Sequence, residues 1–598
     1  MRRFLILLVF LPSLRAGERA AETPILPPLV AWKLKDATLT VSDDHPWVTH
    51  FEKSGHKATP RYAAMVIWLK RLVEAAPELS MVSLGLSAQG RDVWMVIASR
   101  EKASTPRELT ATNKPTLLVQ GGIHSGEIDG KDAGLMLLRD MTVRGTKRDL
   151  LEKANLLFIP ILSVDGHERF GAYSRVNQRG PAKSGWRTNA RNLNLNRDYA
   201  KLDTAGVRAA VRAIREWAPD LYYDIHVTDG ADYQYDITWG HNGLNAHSPA
   251  SAQWLDEHLT PRLEKDLKAK GHIPGPLVFS VDRLDMKKGI RFITFGPRYS
   301  HGYGDLAHLP TFLVENHSLK PYDQRVFGTY VLLESTLRAL GEHGAALRRA
   351  IKEDRARRPA EVVLTWKVSK SEPPKLTFLG IGQEVVDSEI SGAPWVRWTG
   401  KPVTLQIPYV HTTAPDLEVA RPKAYWVPAA WPDVIERLQL HGVQCEFIEL
   451  PREVEVEMDR IVDPRLDDKP FEGRVRITAT FKPERRKETV AAGSVRVSTD
   501  QPLGDLAIAL LEPGSPDSFF QWGFFHEVLQ RTEYIEGYVL EPMARRMLAE
   551  DPKLQTEFEK RLEDEEFAKD PKARLRWFYE KTPFFDERFR LYPVAHER

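Results

Sequence analysis

Between residues 115 and 340 short apolar runs alternate with stretches of helical period, and that alternation limits the chain to a sheet covered by helices on both faces. PTLLVQGGIH (115–124), NLLFIPILSVDG (155–166), DLYYDIHV (220–227) and LPTFLVENH (309–317) are too apolar for strands with one face in water. KDAGLMLLRDM (131–141), TAGVRAAVRAIREW (204–217) and QRVFGTYVLLESTLRAL (324–340) have the spacing of packed helices. Upstream, 59–77 starts as a helix at Thr-Pro, and 80–99 holds two β-type runs about a turn at Gln89-Gly90-Arg91. Beyond the charged segment KEDRARRPAE (352–361) the pattern changes. GRVRITATFKP and GSVRVSTDQP alternate apolar and polar residues, as half-exposed antiparallel strands do, and the last 80 or so residues read as helical with dense charge. The predicted organisation is a segment 1–21, an α/β unit 22–351 with a mixed sheet and helices on both faces, a β-rich module 352–510, and a helical region 511–598.

Composition removes several classes. Lys+Arg number 84 against 82 Asp+Glu, so no basic excess invites nucleic acid. Cys445 is the only cysteine, which excludes an internal disulfide framework and a Cys-based zinc finger. Residues 1–21 place two arginines before an apolar run from Phe4 to Leu14 and then small residues, the layout of a secretory signal peptide. No later run is long enough for a transmembrane helix, and an exported protein, periplasmic or secreted, is expected.

GGIHSGEIDG puts His124 and Glu127 three apart where a strand gives way to a helix, so a turn there can aim both at one point. Imidazole and carboxylate suit Zn²⁺, and two His with one Glu is a recurrent catalytic set. Alone the pair is weak, because 18 histidines give about one such spacing by chance. His226 ends an apolar strand, with Asp224 two residues earlier on the same side to orient its ring. Glu315 ends another, where partial desolvation suits a proton shuttle. Asn196 and Arg197 lie side by side, a neutral donor beside a planar fork matched to a carboxylate. Each has a plainer reading as a strand-end charge, a core histidine or a helix-capping loop. There is no H-E-x-x-H, no G-x-S-x-G and no phosphate loop.

In order and rough spacing, His124 with Glu127, an arginine in YSRVNQRG, Asn196-Arg197, His226 and Glu315 resemble the zinc carboxypeptidases of the carboxypeptidase A type, over about residues 50–340. LGLSAQGRDVWMV also resembles the strand pair that opens that domain, and GSVRVSTDQPLGDLAIALLEP and PKAYWVPAAWPDVIERL look similar to the C-terminal part of large bacterial members. The resemblance implies one Zn²⁺ held by His124, Glu127 and His226, with Glu315 as the base that activates water. It implies Arg175 as oxyanion partner, with Arg179 not separated from it by spacing. It implies Asn196 and Arg197 as the holders of a peptide's free C-terminal carboxylate, and a mobile tyrosine for which Tyr299 and Tyr303 are candidates. Asn194 stands where the family has an aspartate behind a zinc histidine, with Asp224 or Asp129 as substitutes. His241, His301, His308 and His317 support the fold or line the cleft. The implied activity is a metallocarboxypeptidase. The same metal site also suits a zinc amidohydrolase acting on peptidoglycan stem peptides or small N-acyl amino acids, and a non-catalytic peptide-binding relative is the remaining class.

Overall fold

The computed structural model describes residues 25–33, 35–228, 230–531 and 533–598, so the signal-like segment 1–21 lies outside the described residues. The expected α/β unit is present. Its strands are β1 (Leu79–Leu86), β2 (Asp92–Ala98), β3 (Thr116–Gln120), β4 (Asn155–Ile159), β5 (Leu221–Val227), β6 (Ile237–Gly240) and β7 (Pro274–Pro276), then β8 (Ile290–Ile293) and β9 (Thr311–Asn316). Eight of them form one mixed sheet in the order β1-β2-β4-β3-β5-β9-β6-β7, with β8 paired elsewhere. The four central strands β4, β3, β5 and β9 are parallel, and β3, β4 and β5 are buried at every residue, which explains their unbroken apolar runs.

The helices α1 (Asp129–Met141) and α2 (Tyr322–Ala356) cover one face. There Gly130 brings α1 so close to β5 that an added Cβ would lie 2.9 Å from Ile225 Cβ, and Tyr223 Oη meets Thr336 Oγ1 at 2.7 Å. On the opposite face Tyr222 Oη meets Tyr199 Oη at 2.7 Å, and the Tyr199 ring packs on Tyr303 of the short helix Ser300–Leu306. From β3 the chain runs to β4 on one side and then to β5 on the other. That reversal opens a crevice beyond the carboxyl ends of β3 and β5, the place where such sheets bind ligands.

The remainder is built on this unit. β10 (Glu361–Val368), β11 (Lys375–Asp387) and β12 (Pro394–Ala420) form a second sheet that is tied back through β8 running parallel to β12. The third sheet has six strands: β13 (Ala424–Val427), β14 (Glu446–Phe447), β15 (Arg452–Leu466), β16 (Ile477–Val490), β17 (Val495–Ser498) and β18 (Ala595–Glu597). β18, from the last residues of the chain, lies between β13 and β15, so the helices Gly537–Glu550, Pro552–Arg561 and Pro571–Tyr579 are spanned by a return to the sheet. One large hydrophobic cluster runs from Leu39 to Val594 and includes Trp522, and Trp426 is buried in a smaller one. No helix among the described residues is long and apolar enough to cross a membrane.

An ion cluster joins the first unit to the third sheet. Asp203 accepts from Arg474 Nε at 2.6 Å and Nη2 at 2.8 Å, and from Arg437 Nη2 at 2.9 Å. Burial opposes its charge, but Arg474, Lys201 and Arg437 prevail and hold the carboxyl well below its usual range. Asp203→Ala leaves these arginines without a counter-charge and should destabilise the protein by about 3 kcal/mol near neutral pH. A depressed carboxyl stabilises the fold above its unfolded pKa, about 3.9, and loses that contribution as pH falls toward the folded value. The difference between parent and variant thermal midpoints should therefore be steady above about pH 5 and shrink below about pH 4; an unchanged midpoint at pH 7 would show that the cluster does not hold the two parts together.

Candidate metal and substrate site

β3 ends at Gln120, and the turn that follows bonds Glu127 N–H to His124 O at 2.9 Å, which points both side chains into the crevice. His226 reaches the same point from the end of β5. His124 Nδ1 and His226 Nδ1 are each 3.0 Å from Glu127 Oε2 and 3.2 Å from one another, and all three residues are buried.

The outer nitrogens decide the chemistry of the inner ones. His124 Nε2–H donates to Asn194 Oδ1 at 2.9 Å, and His226 Nε2–H donates to Asp224 Oδ2 at 2.8 Å. With those outer nitrogens tied to oxygens, both rings turn Nδ1 toward Glu127. Glu127 Oε2 also accepts from Val227 N–H at 3.1 Å, and the two nitrogens and this oxygen together form a donor set that could hold a metal ion. Asp224 is itself held, accepting from Gln120 Nε2 at 3.0 Å and Ser300 Oγ at 2.6 Å. Without an ion the two rings shift in opposite directions. Burial pushes His124 down, whereas at His226 burial is outweighed by Asp224 and Glu127, which hold it well above its usual range. Burial also opposes the charge on Glu127, but His124 and Arg175 keep its carboxyl well below the ordinary value.

The other oxygen of Glu127 faces two cations. Arg175 Nη2 lies 3.0 Å from Oε1 and Arg187 Nη1 lies 3.1 Å from it. Arg175 can come this close because residue 126 is glycine: a Cβ there would stand 2.4 Å from Arg175 Cγ. Its Nε donates to Gln178 Oε1 at 3.1 Å, and its side chain is 12% exposed against 36% for Arg187. Arg179, which spacing could not separate from Arg175, turns away and donates to the carbonyls of Leu319 and Pro27.

Glu315 pairs in register with His226 across β5 and β9, which puts both side chains on the crevice face of the sheet. Asn196 is buried, with Oδ1 accepting from Ser300 N–H at 2.9 Å and Nδ2 3.4 Å from His226 Nε2. The Arg197 guanidinium lies 4.5 Å from the centre of the Tyr299 ring, and Nη1 donates to Asn196 O at 2.7 Å. Tyr303 does not join this group. It is 1% exposed and packs between Tyr199 and His441. Of the two aspartates considered behind the histidines, Asp224 touches His226 while Asp129 pairs with Arg325 at 2.9 Å. The remaining histidines have other surroundings: His241 meets Asp256, His308 meets Ser248, His317 meets Asp232, and buried His301 is pushed down to about 3 by desolvation.

Sequence reasoning missed Arg187, Gln120 and Ser300. Arg187 stands in a loop of several arginines with no spacing cue, while Gln120 and Ser300 reach Asp224 from segments 104 and 76 residues away from it.

Comparison of the sequence with known proteins points the same way. Residues 65–258 match the family described as Peptidase_M14, zinc carboxypeptidase. Carboxypeptidase 2 of Trichophyton tonsurans is 25% identical over 457 residues, covering 73% of this chain and 78% of that protein. Carboxypeptidase 2 of Trichophyton rubrum is 25% identical over 490 residues, covering 78% and 85%. Among solved structures, carboxypeptidase A from Helicoverpa armigera aligns with a TM-score of 0.36 and 16% identity, covering 48% of this chain and 75% of that chain.

If Asp224 orients the His226 ring, Asp224→Ala should weaken metal retention about tenfold or more while the fold survives. Competition with a chromogenic chelator checks this, and retention equal to the parent would remove Asp224 from the site.

Proposed function

We propose that this chain is a metallocarboxypeptidase, a hydrolase that removes C-terminal residues from peptides, with His124, Glu127 and His226 as its metal ligands. The observation that carries the reading is the convergence of two outward-anchored imidazoles and one carboxylate on a single point, next to Glu315 and within one turn of the Asn196-Arg197 pair. The zinc carboxypeptidase match over 65–258 and the carboxypeptidase relatives support it. Two nitrogens and one oxygen suit zinc among the common divalent ions. A zinc ion held there would act as a Lewis acid on the scissile carbonyl and lower the pKa of water beside it.

The chain's own groups divide the rest of the reaction. Glu315 takes a proton from the attacking water as its oxygen adds to the carbonyl carbon. It returns that proton to the nitrogen as the carbon–nitrogen bond breaks, and the acid then passes its remaining proton to the released amine, leaving a carboxylate and an ammonium. Arg175 and Arg187 are the cations available to the oxyanion; the first is held rigid by Gln178 and the second is open to the cleft. Asn196 and Arg197 hold the terminal carboxylate of the substrate, Arg197 being braced against the face of Tyr299. That requirement for a free terminus makes the enzyme an exopeptidase. The basic, apolar and small-residue pattern of 1–21 supports export, and the paired sequence phrases beyond residue 420 support a shared C-terminal architecture with large bacterial relatives.

A mixed peptide pool incubated with the full-length protein should lose single C-terminal residues by mass spectrometry, and a chelator should stop the loss. Glu315→Gln should keep the metal and lower kcat by about 10³-fold. Peptides amidated at the C-terminus should resist, because Asn196 and Arg197 then have no carboxylate to hold. Equal cleavage of amidated and free peptides would overturn the assignment of that pair.

A further inference from the structure

The hairpin that joins β15 to β16 leaves the C-terminal sheet and packs against Leu193 and Asn194, at the start of the segment that carries Asn196 and Arg197. Contacts of three kinds hold its tip there. Arg474 is bound to Asp203, and Phe471 stacks on buried Trp522 with centroids 6.0 Å apart and planes 13° from parallel. Between them, Glu472 Oε2 accepts from Asn194 N–H at 2.7 Å, a contact between residues 278 positions apart. Gly473 has φ +81° and lies so near Leu193 that a Cβ would stand 3.1 Å from Leu193 Cδ2. Glu472 itself has φ +49°, a left-handed conformation that a glutamate adopts only when its surroundings impose it.

Asn194 passes this contact inward. Its Oδ1 accepts from His124 Nε2–H and from Asn196 N–H, both at 2.9 Å, and caps the turn Leu195–Arg197. One main-chain N–H therefore anchors a segment that orients a ligand histidine on one side and carries Asn196 and Arg197 on the other. The Glu472 charge also acts on Arg197, where it opposes the burial that pulls the guanidinium pKa down.

We propose that Glu472, supplied by the C-terminal sheet, is a positioning residue of the catalytic cleft. It anchors Asn194, and through Asn194 it sets the His124 ring and the carboxylate-holding pair. The Arg197 half rests on the carboxypeptidase reading, whereas the His124 half needs only a metal. The C-terminal module is then part of the working site rather than an appendage to it.

Full-length Glu472→Ala, Glu472→Gln and Gly473→Val test this by two readouts: zinc retention against a competing chelator, and KM and kcat on a peptide with a free C-terminus. Glu472→Ala should lose zinc to the chelator about tenfold more readily and raise KM about tenfold. Glu472→Gln keeps an acceptor for Asn194 N–H and should stay within about twofold of the parent. Gly473→Val pushes the tip off Leu193 without removing any polar group, and should follow Glu472→Ala. The proposal is overturned if Glu472→Ala matches the parent in zinc retention, or if Glu472→Gln is as impaired as Glu472→Ala, since the charge and not the anchor would then matter. A parent that binds zinc but cleaves no peptide would sink the proposed function, and the zinc arm alone would still decide the role of Glu472.

Discussion

Two imidazole nitrogens 3.2 Å apart, each 3.0 Å from one carboxylate oxygen, bring three potential metal-ligating atoms to a single buried point. Much of the surrounding architecture holds those three atoms in place. Nε2 of each ring is tied to an oxygen, those oxygens are tied to Gln120, Ser300 and Asn196, and the set is drawn from the ends of β3 and β5, the turn after β3, the turn at 194–197 and the helix at Ser300. Such a network defines ring orientation more tightly than packing would, because each misplaced group costs an unsatisfied buried polar atom.

The sheet supplies the frame for this network. A run of parallel strands ends all its carboxyl termini along one edge, and the reversal of winding direction at β3 separates the connecting segments there. His124 and Glu127 leave β3, His226 ends β5 and Glu315 ends β9, so three adjacent strands deliver four functional groups without any long loop between them. The helices α1 and α2 pay for the burial of the far face with close approach, as at Gly130, and so leave the crevice face free for polar side chains.

The C-terminal third does not stand apart from this frame. It shares one hydrophobic cluster with the α/β unit, clasps Asp203 with two arginines and sends a hairpin tip to Asn194. Its own sheet is completed only by β18 at the end of the chain, so truncation within it removes a central strand rather than a tail. The charge-dense helices of 537–579 are carried on the loop that this return closes.

Much of this was legible in the residues. The unbroken apolar strands, the Thr-Pro helix start and the turn at Gly90 follow from local periodicity and turn chemistry, which act over a few residues and leave a direct imprint. The residues that converge on one point were legible for a related reason: chemistry restricts potential metal ligands to a few residue types, and each of these stands at the end of an apolar run. The arginines were not. Arg175, Arg179 and Arg187 have the same side chain in the same kind of loop, and only the fold turns two toward Glu127 and sends the third to backbone carbonyls. Nor could pattern show that Tyr303 is core, or that Asn194 is held by a glutamate 278 residues away. By itself the sequence determined the sheet, its covering helices and the types of atom available to a metal. Which guanidinium, which tyrosine and which distant carboxylate stand at the site was decided by tertiary structure alone, because contacts between segments far apart in the chain have no period that a sequence can display.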